Sequence, residues 1–466
     1  MLSIVQARSA ARTPAVGAAA HDEGAKAIAT TLLAAGLANG NRLPELLTVL
    51  AALALLLLGR KLTLATTMRI VAPLLALLGV GAVVTILTGH LGLDALRATY
   101  YVLRVPVWLG LGIALVVHFR DIRVPLNALM LAAVGLSVYF IGLYVTSPEI
   151  VAQGRYVLRT ELAGGWLILP LGAAAAVYAL ITQPRISAAG ALWLGTVVVL
   201  AAATIVLSQS RTALVAGGMV FIGMAGLIPF RLYAWGVVPV IYAALFVLTT
   251  PILSMLLSVD LVSLLDYSAP AVLREVLALD RTAAGDINSF WRGYETFSAY
   301  NFVQGQGLWN TVFGTGLHSV VPLRELMLLQ GSTYAGIPVF HSLFSFAFVR
   351  AGVIGIILIG LQHVVLALPL QRLALSPIRQ FRLLGRYGCG LHLAMLLSVP
   401  TTAGFLNQGE GGSTPLLALG LIIGCSLLVG QAHVAKGLGS PNAAAQPRGP
   451  TPARFAWRGP VSPPSG

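Results

Sequence analysis

Eleven runs of roughly 20 apolar residues fill most of this chain, and they leave little from which a water-facing surface could be built. A helix needs about 20 mostly apolar residues to cross a bilayer. The runs lie at about 43–59, 70–89, 99–118, 125–145, 162–182, 187–207, 212–230, 233–257, 342–369, 389–406 and 414–434. Only 9% of the 466 residues are charged, against about 25% in a soluble globular chain. That excludes a soluble fold. A twelfth apolar stretch, 27–39, is short for a span and also suits an interfacial helix. The expected fold is all-α, a polytopic transmembrane helical bundle of about 12 spans with one long periplasmic helical loop. Residues 1–257 and 342–435 form its membrane parts, 258–341 the loop and 436–466 a disordered cytoplasmic tail.

The net charge of +14 points to topology rather than nucleic acid. With the C-terminus inside and the spans alternating, one side collects Arg60, Lys61, Arg69, Arg120, Arg123, Arg185, Arg231, Arg372, Arg379, Arg382, Arg386 and the basic tail. A single acid, Asp121, faces them. Short loops rich in Lys and Arg stay in the cytoplasm, where anionic headgroups reinforce them. The other side carries nearly all the acids. No signal peptide precedes the first helix. The two cysteines, Cys389 and Cys425, form no ligand or disulfide pattern.

One connection is long. Between 258 and 341 lie Asp260, Asp266, Glu275, Asp280, Asp286, Glu295 and Glu325, seven of the 15 acids. A loop of that length usually has its own structure and function. Its start, LVSLLDYSAPAVLREVLALD, has the spacing of amphipathic helices. Its later WRGYETFSAYNF and GQGLWNTVFGTGLH are rich in aromatics, which favour the membrane interface and also stack on sugar rings. The interface needs no ligand and is the expectation for most of them.

Three charged or titratable positions on the loop side call for an explanation. Arg211, in SQSRTA, sits at a membrane boundary with almost no loop around it; a snorkelling arginine is the plain alternative. Arg292 in SFWRGYE has Glu295 one helical turn away as an ordinary partner. His341 caps the span that follows the loop, where a neutral imidazole can accept a proton at ordinary pH. The other histidines suit structural roles: His90 and His318 in loops, His118 and His433 at span ends, His363 and His392 within spans, His21 in the N-terminal stretch. No Asp-x-Asp pair, closely spaced ligand set or Walker-type loop occurs, so no metal or other cofactor is expected.

These segments together resemble the O-antigen ligase and polymerase superfamily. The resemblance rests on His341-Ser342 followed by Gly352-Val353-Ile354-Gly355, on SQSRTA at 208–213, and on WRGYE with the later FGTGLH at 313–318. RYVLRTELAGGWLILPL at 155–171 is a looser match. Arg350 stands where the family often has Glu. The resemblance implies a metal-independent, inverting glycosyltransferase of the bacterial inner membrane with its active site facing the periplasm. It would pass a glycan from an undecaprenyl-diphosphate carrier to a sugar hydroxyl of lipid A–core. His341 is then the general base. Arg211 and Arg292 are the diphosphate ligands, with Arg155 and Arg159 in reserve, because guanidinium binds phosphate bidentately. A polymerase or an O-linked protein glycosyltransferase of the same superfamily is the near alternative. A secondary transporter or lipid flippase is a distant one, disfavoured because its polar sites belong near the midplane.

Overall fold

The computed structural model describes residues 44–59, 61–152, 167–183, 185–208, 210–250, 287–329, 332–337, 340–402 and 413–437. The chain is a helical membrane protein. Among the described residues six helices are long and apolar enough to cross a bilayer: Lys61–Leu87 (α2), Leu93–Phe119 (α3), Arg123–Thr146 (α4), Ala188–Ser208 (α7), Phe230–Thr249 and Leu343–Ala374 (α12). The fifth of these contains Val238–Thr249 (α9), entered through a 3-10 and a π turn. Shorter apolar helices join them: Pro44–Leu58 (α1), Ile168–Thr182 (α6), Arg211–Ala225 (α8) and Ser413–Gly437 (α15). Pro148–Ala152 (α5) follows α4. The 27–39 stretch lies outside the described residues, as do 251–286 with the amphipathic start of the long loop.

Two expectations are corrected. The apolar run 389–406 is not one helix: Arg379–Leu397 (α13) starts ten residues earlier, and Val399–Thr402 (α14) follows separately. Pro400 has no N–H to continue a helical ladder, and hydropathy alone does not register that. The end of the long loop is also not helical. After Ile287–Gly305 (α10) and Leu308–Phe313 (α11), Val321–Leu329 (β1) pairs antiparallel with Ser332–Ile337 (β2), in register at Leu329↔Ser332 and irregular between Pro322 and Met327. Gly331 lies between the strands in sequence, and tight hairpin turns favour glycine. Strand β2 is rich in the Thr, Tyr and Ile that pleated structure prefers.

Most of α3 is buried, packed against α1, α2 and α15. Its seam with α15 is made by small residues: a Cβ on Gly112 would meet the Leu417 carbonyl, and one on Gly420 the Leu109 carbonyl. Lipid tails are as apolar as leucine, so such close backbone packing supplies the attraction between membrane helices. The peripheral helices keep large apolar side chains exposed, among them Leu57, Ile86, Val138, Leu192 and Val199. A membrane-embedded surface has that character.

The helix directions sort the bundle into two ends. Helices α2 and α12 are antiparallel, since the Gln362 amide donates to the Ile70 carbonyl (2.9 Å) while Gly81 packs by the Arg350 carbonyl. Gly385 of α13 lies against Leu373 and Ala374, and Gly223 of α8 lies against Arg386. The last turns of α8 and α12 therefore share one end. The two helices run in the same direction, with Arg211 at the start of the shorter and His341 just before the longer.

Candidate functional site

The site is built where α10 meets the start of α12. Ser342 caps α12 with its side-chain oxygen, accepting from the Ser345 amide at 3.4 Å. The first amides of a helix lack intrahelical acceptors and favour negative charge. Glu295 answers them. Its Oε1 accepts from the backbone amides of His341 (2.7 Å) and Ser342 (3.1 Å). Its Oε2 is 2.9 Å from His341 Nδ1. The carboxylate is fully buried, while the imidazole is 53% exposed. A buried carboxylate is tolerable only with its lone pairs engaged, and three bonds from residues 341 and 342 do that.

This geometry sets the tautomer. An ionised carboxylate only accepts, so Nδ1 carries the proton and neutral His341 has its lone pair on Nε2. The imidazole is a base held in one orientation by a carboxylate, with an open side toward solvent. Ser345 Oγ donates to Thr296 Oγ1 at 3.2 Å, and the Tyr300 and Phe348 rings stack at 4.2 Å. These contacts continue the α10–α12 seam below the dyad.

Sequence spacing nominates Arg292 as the partner of Glu295; the structure gives that carboxylate to His341. Arg292 is half-buried one turn before Glu295 on α10, so it neighbours the dyad. Arg211 is the exposed first residue of α8, preceded by the capping Ser210, whose side chain accepts from the Ala213 amide. Its helix packs against α6 and α13, not against α10, so the structure does not bring Arg211 together with the dyad. Its guanidinium has no hydrogen-bond partner among the described residues. Arg155 and Arg159 lie outside the described residues.

Arg350 has a different task. It is 1% exposed and donates to the carbonyls of Ser319 (2.7 Å) and Gly316 (3.3 Å), between the rings of Phe340 and Phe346. Just beyond it α12 breaks: Ala351 and Gly352 leave helical dihedrals, and Gly352 takes φ 61°, a conformation glycine adopts without strain. The break frees the Val349 carbonyl, which accepts from Thr315 N (2.8 Å) and Thr315 Oγ1 (3.0 Å). Gly314 and Gly352 pack backbone to backbone there, with no room for a Cβ on either. The two glycine motifs thus interlock. On the other side the Leu317 amide donates to Thr85 Oγ1 at 2.7 Å, fixing the 315–319 segment to α2.

That segment walls a cavity of about 720 Å³ between the α2–α3 connection and the end of α10. His90 and His318 meet in its wall with ring centroids 5.0 Å apart. Burial, then His90 and then Arg350, lower the proton affinity of His318 below the ordinary histidine value. Two imidazoles that the sequence presents as unrelated loop positions are therefore neighbours. The aromatics of α10 also depart from expectation: Tyr294 and Tyr300 are buried against the bundle rather than spread at an interface, while Trp309 is exposed.

Sequence reasoning passed over Glu295 as a functional group, the His90–His318 pair, and Arg104. The last is 5% exposed in the interior of α3, its guanidinium over the Tyr100 ring at 5.6 Å. A charge inside an apolar span is a signal readable from sequence. The Glu295–His341 contact spans 46 residues, and no local pattern announces it. Among the described residues no group of three His, Cys, Asp or Glu side chains is arranged to hold a metal ion. Compared with protein-family models and with curated proteins, the sequence matches none.

Proposed function

We propose that this protein is a glycosyltransferase of the bacterial inner membrane. It transfers a glycan from undecaprenyl diphosphate to a sugar hydroxyl of lipid A–core, as the resemblance to O-antigen ligases implies. The observation that carries the reading is the exposed His341 imidazole fixed by a buried carboxylate. The acceptor hydroxyl gives its proton to His341 Nε2 as its oxygen attacks the anomeric carbon. The anomeric C–O bond breaks on the opposite face, its electron pair leaves with the diphosphate, and the centre inverts. Glu295 stabilises the imidazolium formed in that step. Arg292, one turn away on α10, takes the diphosphate charge, with Arg211 as the second ligand that the resemblance implies, a role guanidinium fills through paired hydrogen bonds. In this reading the dyad faces the periplasm, and the arginine-rich opposite end agrees with a cytoplasmic face.

The test is transfer by the purified chain in lipid nanodiscs, with the lipid-linked glycan as donor and lipid A–core as acceptor. The wild type forms glycosylated lipid A–core, and His341→Ala loses about 10²–10⁴-fold in rate, the share a positioned base supplies. Elongated lipid-linked glycan as the product would make it a polymerase instead. Normal transfer by His341→Ala would remove the base.

A further inference from the structure

Beside the dyad, the 720 Å³ cavity has the size of a small-molecule site, for which about 300–1,000 Å³ is usual. Its lining is polar in a specific way. Asp94, Gln306 and Asn310 bring a carboxylate and two amides, His90 and His318 bring two imidazoles, and Phe302 brings one aromatic face. Thr88, Thr315 and Ser319 add hydroxyls to the wall, and Leu91 and Val320 add apolar surface. No Lys or Arg is among the lining residues, and the one formal charge is negative. Asp94 is paired with Arg97 at 3.4 Å, so the wall carries no cluster of cations of the kind a phosphate needs. Groups that both donate and accept, beside the apolar surfaces of Phe302, Leu91 and Val320, fit a neutral polyol ring.

We propose that this cavity is a saccharide subsite that binds a hydroxyl-rich sugar unit next to the unit reacting at His341. The proposal rests on the glycosyltransferase reading of the dyad. Helix α10 links both places: Phe302 follows Glu295 by seven residues on the same helical face, and Gln306 lies just past the helix end, eleven residues on. At 1.5 Å per residue they lie about 10 and 16 Å along the axis, within reach of a short oligosaccharide. The wall is also held before any ligand arrives. Arg350 grips the Gly316 and Ser319 carbonyls, Thr315 is tied to the broken α12, and Leu317 is tied to Thr85. Preorganisation of that kind lowers the ordering cost of binding. His318 Nδ1 is buried beside Gly316 with no hydrogen-bond partner among the described residues.

The sugar could belong to the donor glycan or to the acceptor core, and the experiment separates these sources. Two probes are the core oligosaccharide and the glycan repeat, each released from its lipid by mild acid. Their binding to the full-length protein in nanodiscs is measured by saturation-transfer NMR, for the wild type, Gln306→Ala/Asn310→Ala and Asp94→Asn. Gln306 is exposed and Asn310 donates only to Gln306, so the double variant is expected to melt as the wild type does; Asp94→Asn preserves shape as a second check.

The expected result is saturable binding of one probe, weakened at least about ten-fold in both variants, which is about 1.4 kcal/mol. The probe that binds names the source. In transfer assays the variants then raise KM for that substrate far more than they lower kcat. Binding of neither probe, or equal binding by wild type and variants, overturns the subsite even where transfer is normal. Variant-sensitive binding with no transfer by any protein upholds the subsite and sinks the transferase reading instead.

Discussion

The two ends of the bundle solve opposite problems with polar residues. At one end, Arg231, Arg372, Arg379, Arg382 and Arg386 gather around the ends of α8 and α12, and no carboxylate pairs with them among the described residues. Gln371 donates to the Arg231 carbonyl, Arg382 to the Ser376 carbonyl at 3.4 Å, and Arg386 lies over the Phe230 ring. At the other end, two polar groups are buried and fixed. Glu295 is fully buried with three bonds, Arg350 is buried with two, and the glycine break in α12 is stitched to 314–317. Charge that only orients a chain in a membrane needs number and exposure. Charge held inside the fold needs hydrogen bonds to offset its burial, because an unpaired polar group in low dielectric is costly.

The largest effect that would break this comparison belongs to Glu295→Gln. The amide can still accept from the two backbone N–H groups, but its NH₂ now donates to Nδ1 and moves the imidazole proton to Nε2. The base is then in the wrong tautomer, and transfer should fall about 10³-fold or more with little change in melting temperature. A rate near that of the wild type would make Glu295 a helix cap only. At the basic end, Arg379→Gln, at an exposed position, should leave the transfer rate within about two-fold, as exposed substitutions usually do. A collapse there would erase the distinction between the ends.

Arg350→Leu comes next. It leaves the Gly316 and Ser319 carbonyls buried without their donor, at about 1–3 kcal/mol for each, and should lower the melting temperature while raising KM more than it reduces kcat. Gly420→Ala, in the α3–α15 seam, presses a methyl on the Leu109 carbonyl and should cost about 1–3 kcal/mol without touching kcat in the folded fraction. A melt unchanged from the wild type would mean the seam can spread. The smallest effect is at His318. Its folded-state proton affinity is below the ordinary value, so the unfolded chain binds more protons in that window and stability rises with pH there. The rise should flatten in His318→Gln, read by melting curves across the acid range. His90, Asp94 and Arg350 are the charged or titratable groups nearest in this account, and each is kept.

The reach of the sequence can be judged from particular residues. His341 is placed at a span boundary by hydropathy alone, and that boundary is where α12 begins. Arg292 and Glu295 are visible as a one-turn pair, but Glu295 takes its bonds from residues 46 and 47 positions away, a choice made by how α10 lies on α12. Gly352 and the Gly-x-Gly at 314–316 are each legible as flexible points, yet their interlock is not, because close backbone approach leaves no mark in either segment. The hairpin at 321–337 is masked by leucine-rich composition, and the α13 boundary by hydropathy that ignores Pro400.

Apolar runs and the bias of arginine decide by themselves that this chain is a bundle of membrane helices and which loops are alike, because burial in lipid and charge exclusion act on each segment separately. Which carboxylate holds which imidazole, which arginine is structural, and where a cavity opens depend on helices meeting across the bundle. Those contacts are made between segments far apart in the chain, and only packing in three dimensions selects them.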